Sequence, residues 1–486
     1  MTAAAATSTQ PAPLALDAAG LIAATGGRLV GPPPECLRGA AIDSRQVGPG
    51  MIFCCLRGAR ADGHDFAAAA AGAGAGLIIA ERELAVPAPV LVVADPAAAL
   101  AALARTQRAA LTRTRWIGIA GSNGKTTTTR LVAAACAPLG PVFCTRGNLN
   151  NHLGVPLTVL SVPAEAAVAV IELGANHPGE VAALCRIAAP ELGVVTSFGP
   201  EHLDGFGSFA GVVRSECELL AGLPAGAAAF VGLGGLAAHA AAHGEDPVAL
   251  VAEIRRLGAH LDLRLLSGSD PRERGELIPA GHVGADGIRL AGAGGSVALP
   301  LLGAHNLANA TLAWHAGVAA GAAPAAALAA MAGVLPVGGR LVLRPWGPHR
   351  LLDDTYNANP ASMIAGLEVL AGQPGAHLAV LGAMGELGAE HDAAHARVGA
   401  HAAGLGIPLI AVGGRAVRLV DGYRAAGGSG SATLVADPAA AAALVRARLD
   451  APATILVKAS RSAGLERVVE LLLAAPAPGT AAEASC

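Results

Sequence analysis

Lysine is almost missing from this chain. Of its 33 basic residues only Lys125 and Lys458 are Lys, so each is a candidate for a compact point charge that the planar guanidinium of Arg cannot replace. Aromatic residues make up 2% of the sequence and charged residues 14%. The eight Cys, at positions 36, 54, 55, 136, 144, 185, 217 and 486, include no CxxC pair, which gives neither a zinc-binding spacing nor a disulfide framework. Long Leu-rich runs are missing too. The mean hydropathy of +0.52 comes largely from Ala and Gly, and no stretch of about 20 strongly apolar residues is present to span a bilayer. Residues 1–27 hold no Lys or Arg, so the basic start of a secretory signal is lacking and a cytoplasmic location is expected. A net charge of −3 gives no general attraction to nucleic acid or anionic lipid, so a polyanion would have to bind at a local site.

The length of 486 residues suggests roughly three domains. A tail over 1–20 is expected to be disordered. Residues 21–113 read as a small α/β domain closed by an Ala-rich helix from Pro96 to Arg113. Residues 114–335 alternate short apolar runs (Trp116 to Ala120, Ala167 to Ile171, Gly193 to Thr196, Ala227 to Val231) with helical stretches, the pattern of a parallel sheet covered on both faces. A Gly-rich turn at Pro336 to Arg340 then opens a third α/β domain over 336–474, with a tail over 475–486.

The most specific local signal is Trp116-Ile-Gly-Ile-Ala, then Gly121-Ser-Asn-Gly-Lys-Thr-Thr, then a helix. A strand, a Gly-rich loop and a helix N-terminus aim backbone N–H groups at an anion. Lys125 adds a charge there and Thr126 a hydroxyl able to ligate Mg²⁺. Ile119 stands where the first Gly of the common GxxxxGK[ST] pattern belongs, so the motif is a shortened form of it. Glu172 closes the run AVAVIE and His202 follows the next strand. Both fall at carboxyl ends of parallel strands, where open α/β sheets gather ligands, and both can coordinate Mg²⁺.

These residues, with DSRQVGPGMIF, DGHDF, GNLNNHLGVPLTVL, ELGANHPGEV, HLDGFGS, GAHNLANA, GGRL, DDTYNANPASM, GELG and VKASRSAGLERVV, make the chain resemble the Mur ligases, ATP-dependent amide ligases of peptidoglycan precursor synthesis. Within the family DDTYNANPASM and VKASRSAGLER resemble the branch that adds D-alanyl-D-alanine to UDP-N-acetylmuramoyl-tripeptide. The resemblance implies three domains that take, in order, the UDP-sugar, ATP, and the incoming amine, with a central P-loop ATPase sheet and a Rossmann-like third domain. It implies a uridine-nucleotide site at Ser44 and Arg45, and ATP-phosphate contacts from Gly121, Ser122, Asn123, Gly124, Lys125, Thr126 and Thr127. Magnesium ligands would be Thr126, Glu172 and His202. His305 and Asn306 would lie on the adenine side, Arg340 would reach the γ-phosphate, and Asp354 and Tyr356 would neighbour the ribose or phosphates. Asn357, Lys458 and Arg461 are candidates for the acceptor, and a monomer is the family's usual state.

Taken singly, several of these residues have plainer readings. Ser44 and Arg45 make a polar turn, Asn306 and Asn309 cap a helix, Asp354 to Asn359 form an Asx-rich turn stopped by Pro360, and Lys458 is a surface residue at a strand end. Four positions also depart from the family pattern. Glu216 stands where members commonly carry a carbamylated Lys, Ser197 where Asn is usual, Gly232 where an Asn-Ala-Asp stretch is usual, and Ala383 where an Asp is usual. Glu216 keeps the negative charge on a shorter stem, so it is a candidate catalytic residue. Two further readings stay open: a diverged ligase of specialised peptide metabolism with another donor or acceptor, and a non-catalytic nucleotide-binding regulator.

Overall fold

Short apolar strands alternating with Ala-rich helices leave each sheet to be covered on both faces, and the computed structural model contains three such sheets. It describes residues 10–267, 280–292, 295–428 and 430–478. The expected tails therefore lie outside the described residues over 1–9 and 479–486.

The expectation of disorder over 1–20 fails for its second half. Leu14 is buried, its N–H donates to the Leu37 carbonyl at 2.8 Å, and Ala12 N–H donates to Val162 O at 3.0 Å, so this segment bridges the first and central domains. The helix Ala18–Thr25 begins at once, with Asp17 accepting from Gly20 N–H. An apolar anchor at every second residue, among the Pro and Ala of 11–16, is enough to fix an otherwise structureless stretch.

The first sheet runs Arg28–Val30, Val90–Val92, Leu77–Ala80, Ile52–Cys54, Ala40–Ala41, with only its outermost pair antiparallel. Its closing helix, Pro96–Ala110, is started by Asp95, whose carboxylate accepts from Ala97 and Ala98 N–H, with Pro96 in the first turn. Both are favourable there, because those N–H groups have no partner inside the helix and Pro lacks one. Leu100 and Leu103 share one apolar core with Leu157, Leu160 and Leu184 of the central domain. The two domains are thus joined by buried surface as well as by the chain.

The central sheet is parallel throughout, in the order Asp262–Leu266, Ala228–Gly232, Leu192–Val195, Arg115–Ala120, Val168–Glu172, Val142–Cys144. An antiparallel sheet of Ala280–Gly284, Gly287–Gly292 and Gly295–Leu299 follows it. Its Gly-rich sequence gave no strand signal.

In the third domain the order is Val342–Trp346, His349–Asp354, Ala453–Lys458, Ala376–Gly382, Leu409–Val412, Ala432–Val435, with the first pair antiparallel and the rest parallel. Separate cores cover its two faces, one on Met363 and Leu367, the other on Val468 and Leu472. None of the described helices is long and apolar enough to cross a membrane.

Candidate active site

Strand Arg115–Ala120 is central in its sheet and its next four residues turn sharply into helix Lys125–Cys136. Two glycines make the turn possible. Gly121 (φ +116°) lies so close to Thr196 that a Cβ would collide with its hydroxyl. Gly124 (φ +84°) would put a Cβ 2.7 Å from Asn309 Oδ1. The loop is pinned from the neighbouring strand end: Thr196 Oγ1 donates to Asn123 O at 2.6 Å, Asn123 N–H donates to Ser197 Oγ at 3.2 Å, and Ser122 Oγ donates to Gly199 O at 3.2 Å. Ser197, one of the departures from the family pattern, therefore holds the loop backbone directly.

Lys125 is the first residue of the helix, and Thr126 and Thr127 follow half-buried in its opening turn. Lys125 Nζ donates to Gly121 O at 2.5 Å and Ser122 O at 3.1 Å, and stands 3.9 Å from Glu201 Oε1. Burial acts to lower its pKa, but Glu201, Glu216 and Glu172 outweigh that and raise it, so the ammonium stays charged.

Glu216 is fully buried and its Oε2 accepts the Gly121 N–H at 2.6 Å. The short stem is compensated by where the helix Phe209–Glu216 ends, directly beside the loop. Glu201, which belongs to none of the motifs, lies close to Glu216, and the Oε1 of each is buried without a hydrogen-bond partner. Burial carries both carboxyls above their ordinary range. The adjacent Lys125 ammonium acts against that rise in both and so offsets part of the cost of two acids in a dry place. The only trace of Glu201 in the sequence was its position next to His202.

Glu172 pairs in register with Ile119, which brings it to the end of the phosphate-loop strand. It is buried, and its Oε1 accepts from Asn150 Nδ2 at 2.8 Å. His202 has a left-handed backbone (φ +46°) at the start of Leu203–Phe206, and its Nδ1 lies 3.0 Å from Glu386 Oε2 of the third domain. Burial lowers its pKa more than Glu386 raises it, which favours a neutral, ligand-competent imidazole.

The third domain meets the loop directly. Asn359 Nδ2 donates to Asn123 Oδ1 at 2.8 Å, while its Oδ1 accepts from Ser362 N–H and so caps helix Pro360–Ala371. The Arg340 guanidinium stacks 4.1 Å from the Tyr356 ring centroid, with Nε buried and unpartnered. In the turn 336–340, Gly339 (φ +70°) accepts the Tyr356 N–H at 2.9 Å, tying the two residues' backbones together.

Other expected site residues have structural work to do. Asn306 is buried, donating to Leu302 O at 2.9 Å and accepting from Asn309, so it fixes the helix start that abuts Gly124; His305 beside it is exposed. Asp354 is buried against Lys458, Oδ2 to Nζ 2.7 Å, and its Oδ1 accepts from Leu341 N–H. Lys458 also donates to Asn357 O at 2.8 Å and is 2% exposed. Lys458 is therefore not the surface residue of the plainer reading, and a contact from it to the acceptor, or from Asp354 to the nucleotide, would have to compete with this buried pair. Asn357 and Arg461 are exposed, Arg461 reaching Glu466 at 3.5 Å.

In the first domain Arg45 is exposed and folds back on Asp43, Nη2 to Oδ2 2.6 Å, in the turn Ser44–Gln46. The Arg45 hydrogen bonds hold Asp43 down to about 2. Ser44 is half-buried beside it. In DGHDF, His64 is buried between Asp62 and the Glu81 N–H, a structural use of that motif. Gly232 is explained by contact, since a Cβ there would strike the Thr196 carbonyl. Ala383 offers its carbonyl to Ser460 N–H and Oγ; nothing in the structure explains the choice of its side chain.

Comparison with known proteins agrees with this arrangement. The Mur ligase family catalytic domain matches residues 37–108, the Mur ligase middle domain 119–317, and the Mur ligase glutamate ligase domain 339–461. The UDP-N-acetylmuramoyl-tripeptide–D-alanyl-D-alanine ligase of Escherichia coli K12 is 35% identical over 88% of this chain and 92% of its own length. That of Mycobacterium tuberculosis H37Rv is 37% identical over 89% of this chain and 91% of its own. Among solved structures, a MurF crystal structure from Acinetobacter baumannii superposes with a TM-score of 0.82 at 30% identity, covering 94% of this chain and 98% of that one. MurF from Thermotoga maritima in complex with ADP gives 0.74 at 25% identity, covering 90% and 97%. With three domain matches in order and relatives of this identity along nearly its whole length, the chain belongs to the Mur ligase family.

Proposed function

We propose that this protein is an ATP-dependent ligase that joins D-alanyl-D-alanine to UDP-N-acetylmuramoyl-tripeptide, forming the pentapeptide precursor of peptidoglycan, and that it works in the cytoplasm as a monomer. Relatives bearing that name support the substrates, and the ADP complex of a structural neighbour supports the nucleotide. The observation that carries the reading is the Asn123–Asn359 bond, by which the third domain touches the phosphate loop itself.

A carboxylate is a poor acyl donor because its leaving group would be oxide. In the proposed reaction a donor carboxylate oxygen attacks the γ-phosphorus of ATP and ADP leaves, giving an acyl phosphate. The acceptor amine, having lost a proton, then attacks the carbonyl carbon. Phosphate departs with one oxygen that began in the carboxylate.

The first step brings an anion to a polyanion, so charge must be neutralised and the attack aligned. Lys125 and the N–H groups of Gly124 to Thr127 serve the phosphates; Lys125 is withdrawn on the loop carbonyls and exchanges them for phosphate oxygens. Arg340, held flat by Tyr356, supplies a charge from the third domain. Ser44 and Arg45 take the uridine nucleotide, His305 the adenine side, and Asn357 and Arg461 the acceptor. Closure of the third domain shields the acyl phosphate from water.

Mg²⁺ fits the residues present. Among the described residues no three His, Cys, Asp or Glu side chains converge as a ready-made metal cage. That suits an ion which keeps waters and substrate phosphates and takes only one or two carboxylates. Thr126, Glu172 and His202 would hold it, and three carboxylates acting on one ammonium leave negative charge to spare. When bound it supplies Lewis-acid polarisation of the phosphates.

Phosphate release from ATP by the purified protein, with the product followed by mass, tests the reading. Release that needs both substrates and gives the pentapeptide mass is expected. Turnover only with another amine or donor would move the assignment to a diverged ligase, and none with any amine would leave a nucleotide-binding regulator.

A further inference from the structure

We propose that Glu386, on the third domain's Gly385–Leu387 loop, is a positioning residue for His202, so that the cation site of the central domain is complete only when the third domain is docked. The inference rests on the reading of His202 as a metal ligand.

His202 Nδ1 and Glu386 Oε2 are 3.0 Å apart, and the two residues come from different domains. A carboxylate facing Nδ1 favours the tautomer that carries its proton there, which leaves the lone pair on Nε2. Carboxylates in this relation to a ligating His raise its basicity as well as aim it.

Backbone strain is concentrated at the same place. Only four non-glycine residues among those described have positive φ, and two of them are His202 (+46°) and Glu386 (+58°). A third, Leu341 (+50°), follows Arg340. Each such conformation is strained and persists where surrounding contacts over-determine it. Those contacts exist: Gly388 lies tight against the Asp204 carboxylate, and Asn359 bonds Asn123 at 2.8 Å.

Stability is a poor explanation for the pair. The Glu386 side chain is 72% exposed, and exposed ion pairs contribute little to stability. Orientation of a ring that is itself mostly covered is the effect that remains.

The test is Mn²⁺ binding, read by electron paramagnetic resonance, to the full-length protein saturated with ADP. Glu386→Ala is expected to weaken Mn²⁺ binding about tenfold or more, the range for losing a carboxylate behind a ligating His. Glu386→Gln, which keeps an oxygen of the same reach to face Nδ1, is expected to restore most of it. His202→Ala should weaken binding comparably, and the double variant little further. If His202→Ala weakens binding and Glu386→Ala does not, the positioning role is overturned while the metal reading stands. If neither weakens it, His202 is not a ligand and both fall.

Discussion

Gly121 gives its N–H to the Oε2 of Glu216 at 2.6 Å, so a buried carboxylate holds the first residue of the phosphate loop. The same carboxylate helps keep Lys125 charged. A buried charge-assisted bond of this kind is worth about 1.5–3 kcal/mol, and losing the acceptor strands a buried N–H. Glu216→Ala should raise the KM for ATP roughly tenfold or more, on that energy scale, while Glu216→Gln, which still accepts, should do less. Because the charge at 216 is part of the side chain and needs no carbamylation, activity should be the same in carbon dioxide-depleted and bicarbonate-supplemented buffer. A bicarbonate requirement would mean that another group supplies the charge.

Docking of the third domain depends on a glycine. Gly388 has φ +47°, and a Cβ there would overlap the Asp204 carboxylate of the central domain. Gly388→Ala should leave ADP binding nearly intact but lower kcat by about tenfold or more, the scale of a displaced catalytic group. Small-angle scattering of the variant with an ATP analogue should show a more extended particle than the parent. Equal radii and equal kcat would show that this contact is dispensable.

Lys458 and Asp354 form a buried pair at 2.7 Å. Removing one partner from such a pair costs about 3–5 kcal/mol, because the other charge is left stranded. Lys458→Met should therefore destabilise the third domain by about that much, visible as faster hydrogen exchange in strands Ala453–Lys458 and His349–Asp354. If the variant is as stable as the parent but has lost affinity for the acceptor, Lys458 is a binding residue after all.

His315 is a buried imidazole stacked on Phe230, with centroids 5.5 Å apart and Nε2 unpartnered. Burial, with help from Arg264, pushes its pKa down to about 4. The unfolded chain takes up a proton near pH 6.5 that the folded one refuses until about pH 4, so stability is full above 6.5 and is lost as the pH falls between these values. The loss amounts to about 3 kcal/mol at most. His315→Leu should flatten that part of the acid profile, followed by the fluorescence of Trp314. An unchanged acid slope would place the sensitive group elsewhere.

The phosphate loop was legible because strand, Gly-rich turn and Lys are contiguous, and Glu172 because a strand of known direction ended on it. Relationships between distant segments were not. Lys458 reads as a lone charge at a strand end, and only the parallel pairing of Ala453–Lys458 with His349–Asp354 puts Asp354 opposite it. Glu386 and His202 are nearly two hundred residues apart, so no local pattern links them. Residues 10–16 look like a tail because their anchors, Leu37 and Val162, lie in two other parts of the chain. The Gly-rich strands of 280–299 alternate too few large side chains to show a period of two.

The central claim is that a carboxylate is activated by phosphoryl transfer before the amine attacks, and oxygen tracing tests it most directly. A tripeptide donor labelled with ¹⁸O at both oxygens of its reacting carboxylate should pass one labelled oxygen to each phosphate released and keep the other in the new amide, with release dependent on D-alanyl-D-alanine and the singly labelled pentapeptide formed in equal amount. Phosphate carrying no label, its new oxygen coming from water, would show that ATP is simply hydrolysed and would contradict the account.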